Sequence, residues 1–110
     1  MSMIPRALTV FRRLINERSQ RLREQSFAEL ERLVRPPMGP IGETVTIESR
    51  RATIVTVVEQ RNDGRLRVVV QGTIEPRLLP VGFHLAVDGF YKHPDGSVTP
   101  MPDTEYREFD

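Results

Sequence analysis

The stretch that decides the fold is residues 53–74, TIVTVVEQRNDGRLRVVVQGTI. Two runs rich in Val, Ile and Thr flank Asn62-Asp63-Gly64, a three-residue hairpin loop with glycine where the backbone needs a positive φ. The pairing that this loop imposes places Glu59 opposite Arg67, so that opposite charges meet across the two strands. The sequence therefore predicts two antiparallel strands in a defined register.

Alternation along these strands predicts which side chains face the core. One face is apolar and carries Ile54, Val58, Leu66, Val68, Val70 and Ile74. The other face carries the polar residues Thr53, Glu59, Arg67, Gln71 and Thr73 together with three valines, Val55, Val57 and Val69. Adjacent apolar side chains on a polar sheet face are typical of a surface that is covered. We expect either the tail residues Tyr106 and Phe109 or a second copy in a symmetric dimer to cover the valines.

The N-terminal segment, residues 1–35, predicts an amphipathic helix with a kink. Two stripes recur at helical spacing, the first at Ile4, Leu8, Phe11, Leu14, Ile15 and Leu22 and the second at Phe27, Leu30, Leu33 and Val34. The stripes are rotated by about 100° from one another, so one straight helix cannot bury both against a flat surface. Ser26 and Glu29 have the spacing of a capping box. We expect a helix to about Gln25, a break, and a short helix to Arg35.

The remainder of the chain predicts strands. Residues 36–42 are a proline- and glycine-rich hinge at which the helix must end, residues 43–99 form antiparallel strands, and residues 100–110 form an acidic tail. Predicted bends, bulges or turns interrupt the strands at Ser49-Arg50-Arg51, Gly89 and Pro94-Asp95-Gly96. The order predicts one α+β domain, residues 1–110, in which a kinked N-terminal helix (or two short helices) packs on a four- to five-stranded antiparallel meander.

Charge is nearly balanced in total but divided along the chain. The net charge is +1, yet residues 1–35 hold eight Arg and four Glu, a net +4, while residues 36–110 hold eight basic and eleven acidic residues, a net −3. The balanced total argues against a dedicated nucleic-acid-binding protein. It does not exclude a basic surface confined to the first helix.

The candidate partner-binding residues are the three valines Val55, Val57 and Val69 and five arginines of the first helix. These arginines are Arg12, Arg13, Arg18, Arg21 and Arg23. Residues 16–25 contain only one apolar residue, so we expect them to be largely exposed. The arginines are compatible with a solvated face that includes a Glu17–Arg21 pair, with a protein partner, with RNA or DNA phosphates, or with the protein's own acidic tail folded back against the helix. The sequence leaves these interpretations open.

The best arrangement for chemistry is formed by His84, Asp88, Tyr91 and His93. A small hydrolase or metal-binding protein around His84 and His93 is therefore one alternative function, because histidine exchanges protons and binds metals near neutral pH. The spacing fits no known ligand motif, and a bulge at Gly89 would turn the side chains to different faces. We predict no catalytic, cofactor-binding or metal-binding residues.

Absent motifs exclude several classes of protein. The chain has no cysteine, which excludes disulfides, thiolate metal sites and cysteine nucleophiles. It has no phosphate-binding glycine loop, no serine nucleophile elbow and no apolar run approaching the ~18 residues of a membrane span. We predict a non-enzymatic cytoplasmic protein without cofactors or membrane association, a small accessory or protein-interaction module. A nucleic-acid-binding accessory protein is the first alternative.

Overall fold

The N-terminal third of the chain is helical, and the helix breaks where the sequence predicts it. The computed structural model describes residues 6–34, 41–47, 50–74 and 84–106. The helical elements are α1 (Arg6–Glu24), α2 (Phe27–Glu31) and a 3-10 turn (Arg32–Val34). The Ser26 hydroxyl accepts a hydrogen bond from the Glu29 amide at 3.1 Å, and the Glu29 carboxylate accepts one from the Ser26 amide at 3.3 Å. This capping box confirms the predicted start of a second helix. The predicted helix end, Arg35, lies outside the described residues.

The rest of the described chain is a five-stranded antiparallel sheet in the order β1-β2-β3-β4-β5. The elements are β1 (Ile41–Ile47), β2 (Arg50–Gln60), β3 (Leu66–Ile74), β4 (His84–Lys92), β5 (Val98–Pro100) and a short helix α3 (Asp103–Tyr106). Helices α1 and α2 pack on one face of the sheet. This confirms the predicted α+β fold. Of the predicted hinge, residues 36–40 lie outside the described residues, and Ile41 and Gly42 already belong to β1.

The β2–β3 hairpin has the register that the sequence predicts. Glu59 is opposite Arg67, and Val57 is opposite Val69. The loop closes with a hydrogen bond of 2.8 Å from the Arg61 amide to the Arg65 carbonyl, and its glycine has a φ of 90°. The register is therefore fixed locally, by the loop and by alternation along the two strands.

Two predicted strand irregularities are wrong. Arg50 and Arg51 do not form a bend within one strand, because β1 and β2 are separate strands in which Ile47 pairs with Arg50; residues 48–49 between them lie outside the described residues. Strand β4 runs through Gly89 without a bulge. The glycine serves close packing, since a Cβ atom there would lie 2.9 Å from both Sδ and Cε of Met101.

The core forms where the two helical stripes meet opposite ends of the sheet. Helix α1 packs Leu8, Phe11 and Ile15 against Ile47, Ala52, Ile54, Val70 and Ile74, and α2 packs Leu30 against Val58, Leu66, Val68 and Phe90. All six residues predicted on the apolar face of the hairpin are buried. The break between α1 and α2 allows both stripes to reach the sheet, because each helix then takes its own direction.

None of the helices in the described part of the chain is both long and apolar enough to cross a lipid bilayer.

Candidate functional site

The arginines of α1 fall into two groups. Arg12, Arg13 and Arg21 are exposed, and none of them forms an ion pair or hydrogen bond with another described residue. Arg13 points away from the sheet that buries Phe11 and Ile15, while Arg12 and Arg21 lie on the two flanks of the helix, with Arg12 on the flank toward β4. These three guanidiniums are therefore accessible to a partner.

Arg18 and Arg23 instead contact the sheet. Arg18 forms an ion pair with Glu43 of β1. Arg23 lies 3.4 Å from the Asp88 carboxylate of β4, and its guanidinium carbon lies 5.0 Å from the centre of the Phe90 ring. The prediction that residues 16–25 are largely exposed is thus wrong for part of the segment, and Ser19 within it is fully buried. The physical reason is that α1 continues across the sheet, so its polar residues near the sheet find partners there.

The end of α1 is held by the single lysine of the chain. Lys92 is 5% exposed, and its ammonium donates a hydrogen bond of 2.9 Å to the Arg23 carbonyl. A positive charge at a helix C-terminus stabilises the helix, because it binds the unpaired carbonyls and interacts favourably with the negative end of the helix dipole. This contact fixes α1 against β4.

A groove of about 280 Å³ lies between α1 and β4. Its lining residues are Arg12, Ile15, Asn16, Ala86 and Val87. The half-buried Ala86 and Val87 supply apolar surface, while Arg12 and Asn16 supply a charge and an amide at the helix side. We call this feature the α1–β4 groove. It places an exposed arginine beside an apolar surface, which is suited to a ligand that carries both kinds of group.

Strand β4 pairs with β3 along one edge, and beside this groove its other edge has no strand partner among the described residues. Strand β5 pairs only with residues 90–92 of β4. At Gly89 the hydroxyl of Tyr106 takes the place of a strand, 3.2 Å from the glycine amide and 3.2 Å from its carbonyl. Backbone direction alternates along a strand, so the amide and carbonyl of Val87 point to the same open edge as those of Gly89.

The opposite face of the sheet, which we call the second face, is covered in part by the C-terminal residues. Val69 is 1% exposed and packs with Tyr91 and Met101, and Tyr106 lies against this cluster. Val55 and Val57 are only half-buried. The tail therefore covers part of the predicted valine group, whereas Phe109, which was expected to contribute, lies outside the described residues.

Glu105 attaches α3 to the second face. Its Oε1 atom accepts hydrogen bonds from Arg67 at 3.2 Å, from Arg61 at 3.4 Å and from the Tyr91 hydroxyl. These contacts lower the pKa of Glu105, and the hydrogen bond from the Tyr91 hydroxyl has the largest effect. The pKa of Tyr91 is raised, first by burial and then by the hydrogen bond to the Glu105 carboxylate. Arg67 also binds Glu59 at 2.9 Å, the pair that the hairpin register predicts.

Sequence reasoning did not identify Glu105 as a contact residue. One interpretation that it left open placed the acidic tail against the basic helix. In the described part of the tail, Glu105 binds Arg61 and Arg67 on the second face instead. The tail turns toward this face because Met101, directly after β5, is buried there at 3% exposure. No spacing in the sequence indicates this contact, because Glu105 lies 44 positions from Arg61 and 38 positions from Arg67.

The proposed histidine arrangement does not come together. His84 is the first residue of β4 and His93 follows its last residue, Lys92, so the two histidines are about 30 Å apart at roughly 3.3 Å per residue. The His93 ring nitrogen Nε2 lies 2.8 Å from the Thr99 hydroxyl, Asp88 is next to Arg23, and Tyr91 is on the second face. Within the described ranges no three His, Cys, Asp or Glu residues are placed to hold a metal ion.

Comparison of the chain with protein-family models, with curated proteins and with solved structures found no match.

Proposed function

We propose that the protein is a small, non-enzymatic interaction module that binds an acidic segment of a partner protein at the α1–β4 groove. The observation that carries this proposal is the position of Arg12, which is exposed, forms no ion pair with another described residue and lines the groove beside Ile15 and Ala86. A guanidinium at the rim of an apolar groove favours a ligand with a carboxylate next to an apolar group. The absence of cysteine favours work in the reducing cytoplasm.

The helix geometry supports Arg12 over the other exposed arginines as the central contact. Arg21 follows Arg12 by nine positions, which at about 100° per residue places it on the opposite flank of α1. Arg13 lies between the two flanks. A ligand in the α1–β4 groove therefore contacts Arg12 directly, and Arg21 serves as a matched control because it is exposed, is of the same residue type and belongs to the same helix.

The test begins with a phage-displayed library of random peptides selected on the intact chain. We expect selected peptides to be enriched in Asp and Glu beside apolar residues. Fluorescence anisotropy of one selected peptide should show about tenfold weaker binding to Arg12→Glu and less than about twofold weaker binding to Arg21→Glu. Equal losses in both variants would mean that only overall charge matters, which would overturn the proposal.

Nucleic acid is the competing ligand in the same assay. A labelled single-stranded oligonucleotide should bind more weakly than the peptide, because Arg18 and Arg23 are engaged with Glu43 and Asp88. A basic nucleic-acid site would instead give affinity that falls steeply with salt and an equal dependence on Arg12 and Arg21. Tight oligonucleotide binding of that kind would favour the nucleic-acid function over ours.

Self-association is a second candidate, favoured by the half-buried Val55 and Val57 on the second face. Neighbouring apolar residues on a sheet face are suited to a symmetric contact between two copies. Sedimentation equilibrium of the wild type against Val55→Thr/Val57→Thr would test this candidate. A wild type that stays monomeric at high concentration would eliminate it.

A further inference from the structure

We infer that the ligand of the α1–β4 groove binds as an added β-strand, an extended segment that lengthens the sheet along the open edge of β4. This inference rests on the proposed function, because it specifies how the same groove holds its ligand. Strand addition uses main-chain hydrogen bonds for affinity and alternate side chains for specificity. The β4 edge offers main-chain groups for the hydrogen bonds, and the residues beside it can select the side chains of the ligand.

In the part of the chain that the structure describes, no strand covers these main-chain groups, because β5 ends early. Its last residue, Pro100, is opposite Phe90, a position where the missing amide costs no hydrogen bond because the neighbouring pair, Tyr91 and Thr99, carries the bonds. The chain then turns so that Met101 packs beneath Gly89. The sheet edge from Asp88 back toward His84 is thus left without β5.

Tyr106 defines where an added strand must stop. Its hydroxyl lies at hydrogen-bonding distance from both the amide and the carbonyl of Gly89, so this residue is occupied. The next residue that points to the same edge is Val87, and Val87 also lines the groove. The amide and carbonyl of Val87 are therefore the central hydrogen-bonding groups that an added strand would use.

Between Ala86 and Asp88 this edge has no lysine, proline or bulge. Native edges are commonly protected by lysine, proline, a bulge or an inward-pointing charge. Residues 86–88 read Ala-Val-Asp and form a regular ladder with β3, and the charge of Asp88 is paired with Arg23. The one inward-pointing charge of this stretch, Asp88, is therefore already paired with α1, and Val87 at its centre is neutral.

The two sides of the edge specify the ligand. A ligand residue beside Ala86 on the helix side would lie near Arg12 and Asn16, which favours an acidic side chain there. A neighbouring ligand residue would point to the second face beside Val87, which favours an apolar side chain. The expected ligand is a short extended segment in which acidic and apolar residues alternate.

The experiment is an N-methyl scan of the selected peptide against the unmodified intact chain. Removing one amide hydrogen at a time should weaken binding by about five- to tenfold at alternate positions, since each such bond contributes about 1 kcal/mol, and by less than about twofold at the positions between them. On the protein, hydrogen exchange of the Val87 amide should slow when the peptide binds, while amides of β1, at the opposite edge of the sheet, should not change.

The outcomes separate this inference from the proposed function. A peptide that depends on Arg12 but gives a flat N-methyl profile and leaves Val87 exchange unchanged would overturn strand addition and leave the proposed function standing. Selection that yields no peptide dependent on Arg12 would overturn both. An alternating profile together with slower exchange at Val87 supports both.

Discussion

The carboxylate of Glu105 accepts a hydrogen bond of 3.2 Å from the guanidinium of Arg67, a residue 38 positions earlier in the chain. The Arg67 side chain is only 6% exposed, so its charge requires partners within the protein. Glu59 supplies one partner across the hairpin and Glu105 supplies another. The four residues of α3 are too few to form a stable helix in isolation, and this contact helps to hold them on the sheet.

The first prediction concerns the pH dependence of stability. The pKa of Glu105 is lower in the folded protein than in the unfolded chain. The ionised carboxylate therefore contributes its full stabilisation above the pKa that Glu105 has in the unfolded chain. This stabilisation is lost as the pH falls through the pKa that Glu105 has in the folded protein. Glu105→Gln should lower the free energy of unfolding at neutral pH by about 1–2 kcal/mol. Its stability should also decrease less than that of the wild type between neutral and acidic pH.

Urea unfolding at a series of pH values measures this difference. Asp103→Asn is the matched control, because Asp103 is an exposed carboxylate in the same short helix. The control should follow the wild-type pH profile. Parallel profiles for Glu105→Gln and wild type would contradict the assigned role of Glu105.

The second prediction concerns two serines with opposite roles. Ser19 is fully buried in α1, and its hydroxyl has no hydrogen-bond partner among the described residues. Ser19→Ala should therefore stabilise the protein by about 1 kcal/mol, because a buried unpaired hydroxyl is removed and alanine favours the helix. Ser26→Ala should destabilise it by about 1 kcal/mol, because Ser26 caps α2. Urea midpoints that shift in the same direction for both variants would refute this assignment.

The third prediction concerns the close approach of α1 to β3. A Cβ atom on Gly72 would lie 2.6 Å from Cζ of Phe11 and 2.7 Å from Cδ1 of Ile15, and both side chains are fully buried. Gly72→Ala should cost about 1–3 kcal/mol of unfolding free energy, because the helix must move away from the sheet.

Gly42→Ala is the control for this substitution, since a Cβ atom on Gly42 would have Cγ2 of Val55 as its nearest neighbour, at 3.9 Å. It should change the unfolding free energy by less than about 0.5 kcal/mol. If Gly72→Ala were tolerated as well as Gly42→Ala, α1 would have to cross the sheet elsewhere.

The fourth prediction separates arginines that belong to the fold from those that are free to bind. Arg23 contacts Asp88 and the buried Phe90 ring, so Arg23→Ala should lower the free energy of unfolding by about 1–2 kcal/mol. Arg21→Ala should change it by less than about 0.5 kcal/mol. Thermal and urea unfolding of the two variants measure this contrast, and comparable losses would contradict it.

Local features of the fold could be predicted from sequence, and long-range contacts could not. The register around Asn62-Asp63-Gly64 and the capping box at Ser26 depend on residues only a few positions apart, and the structure confirms both. The role of Gly89 was predicted incorrectly because a glycine in a strand indicates either a bulge or a close neighbour. Only the position of Met101 distinguishes the two.

The same division applies to the candidate site. The sequence identified Arg12 among five candidate arginines but did not distinguish it from Arg23. Both arginines are predicted on the polar side of the same helix. The structure separates them because Arg23 meets Asp88, 65 positions later, whereas Arg12 lines the groove beside Ala86 and Val87 of β4. The groove itself could not be predicted, because it depends on where β5 ends relative to α1.

By itself, the sequence determined the α+β class, the hairpin register and the break in the N-terminal helix, because alternation, loop residues and capping act over short distances along the chain. The tertiary structure alone decided which arginines remain exposed, that Glu105 reaches Arg67, and that Val87 borders a sheet edge with no partner strand among the described residues. Those features join segments far apart in the chain, and their positions follow from how α1 and α3 pack on opposite faces of the sheet.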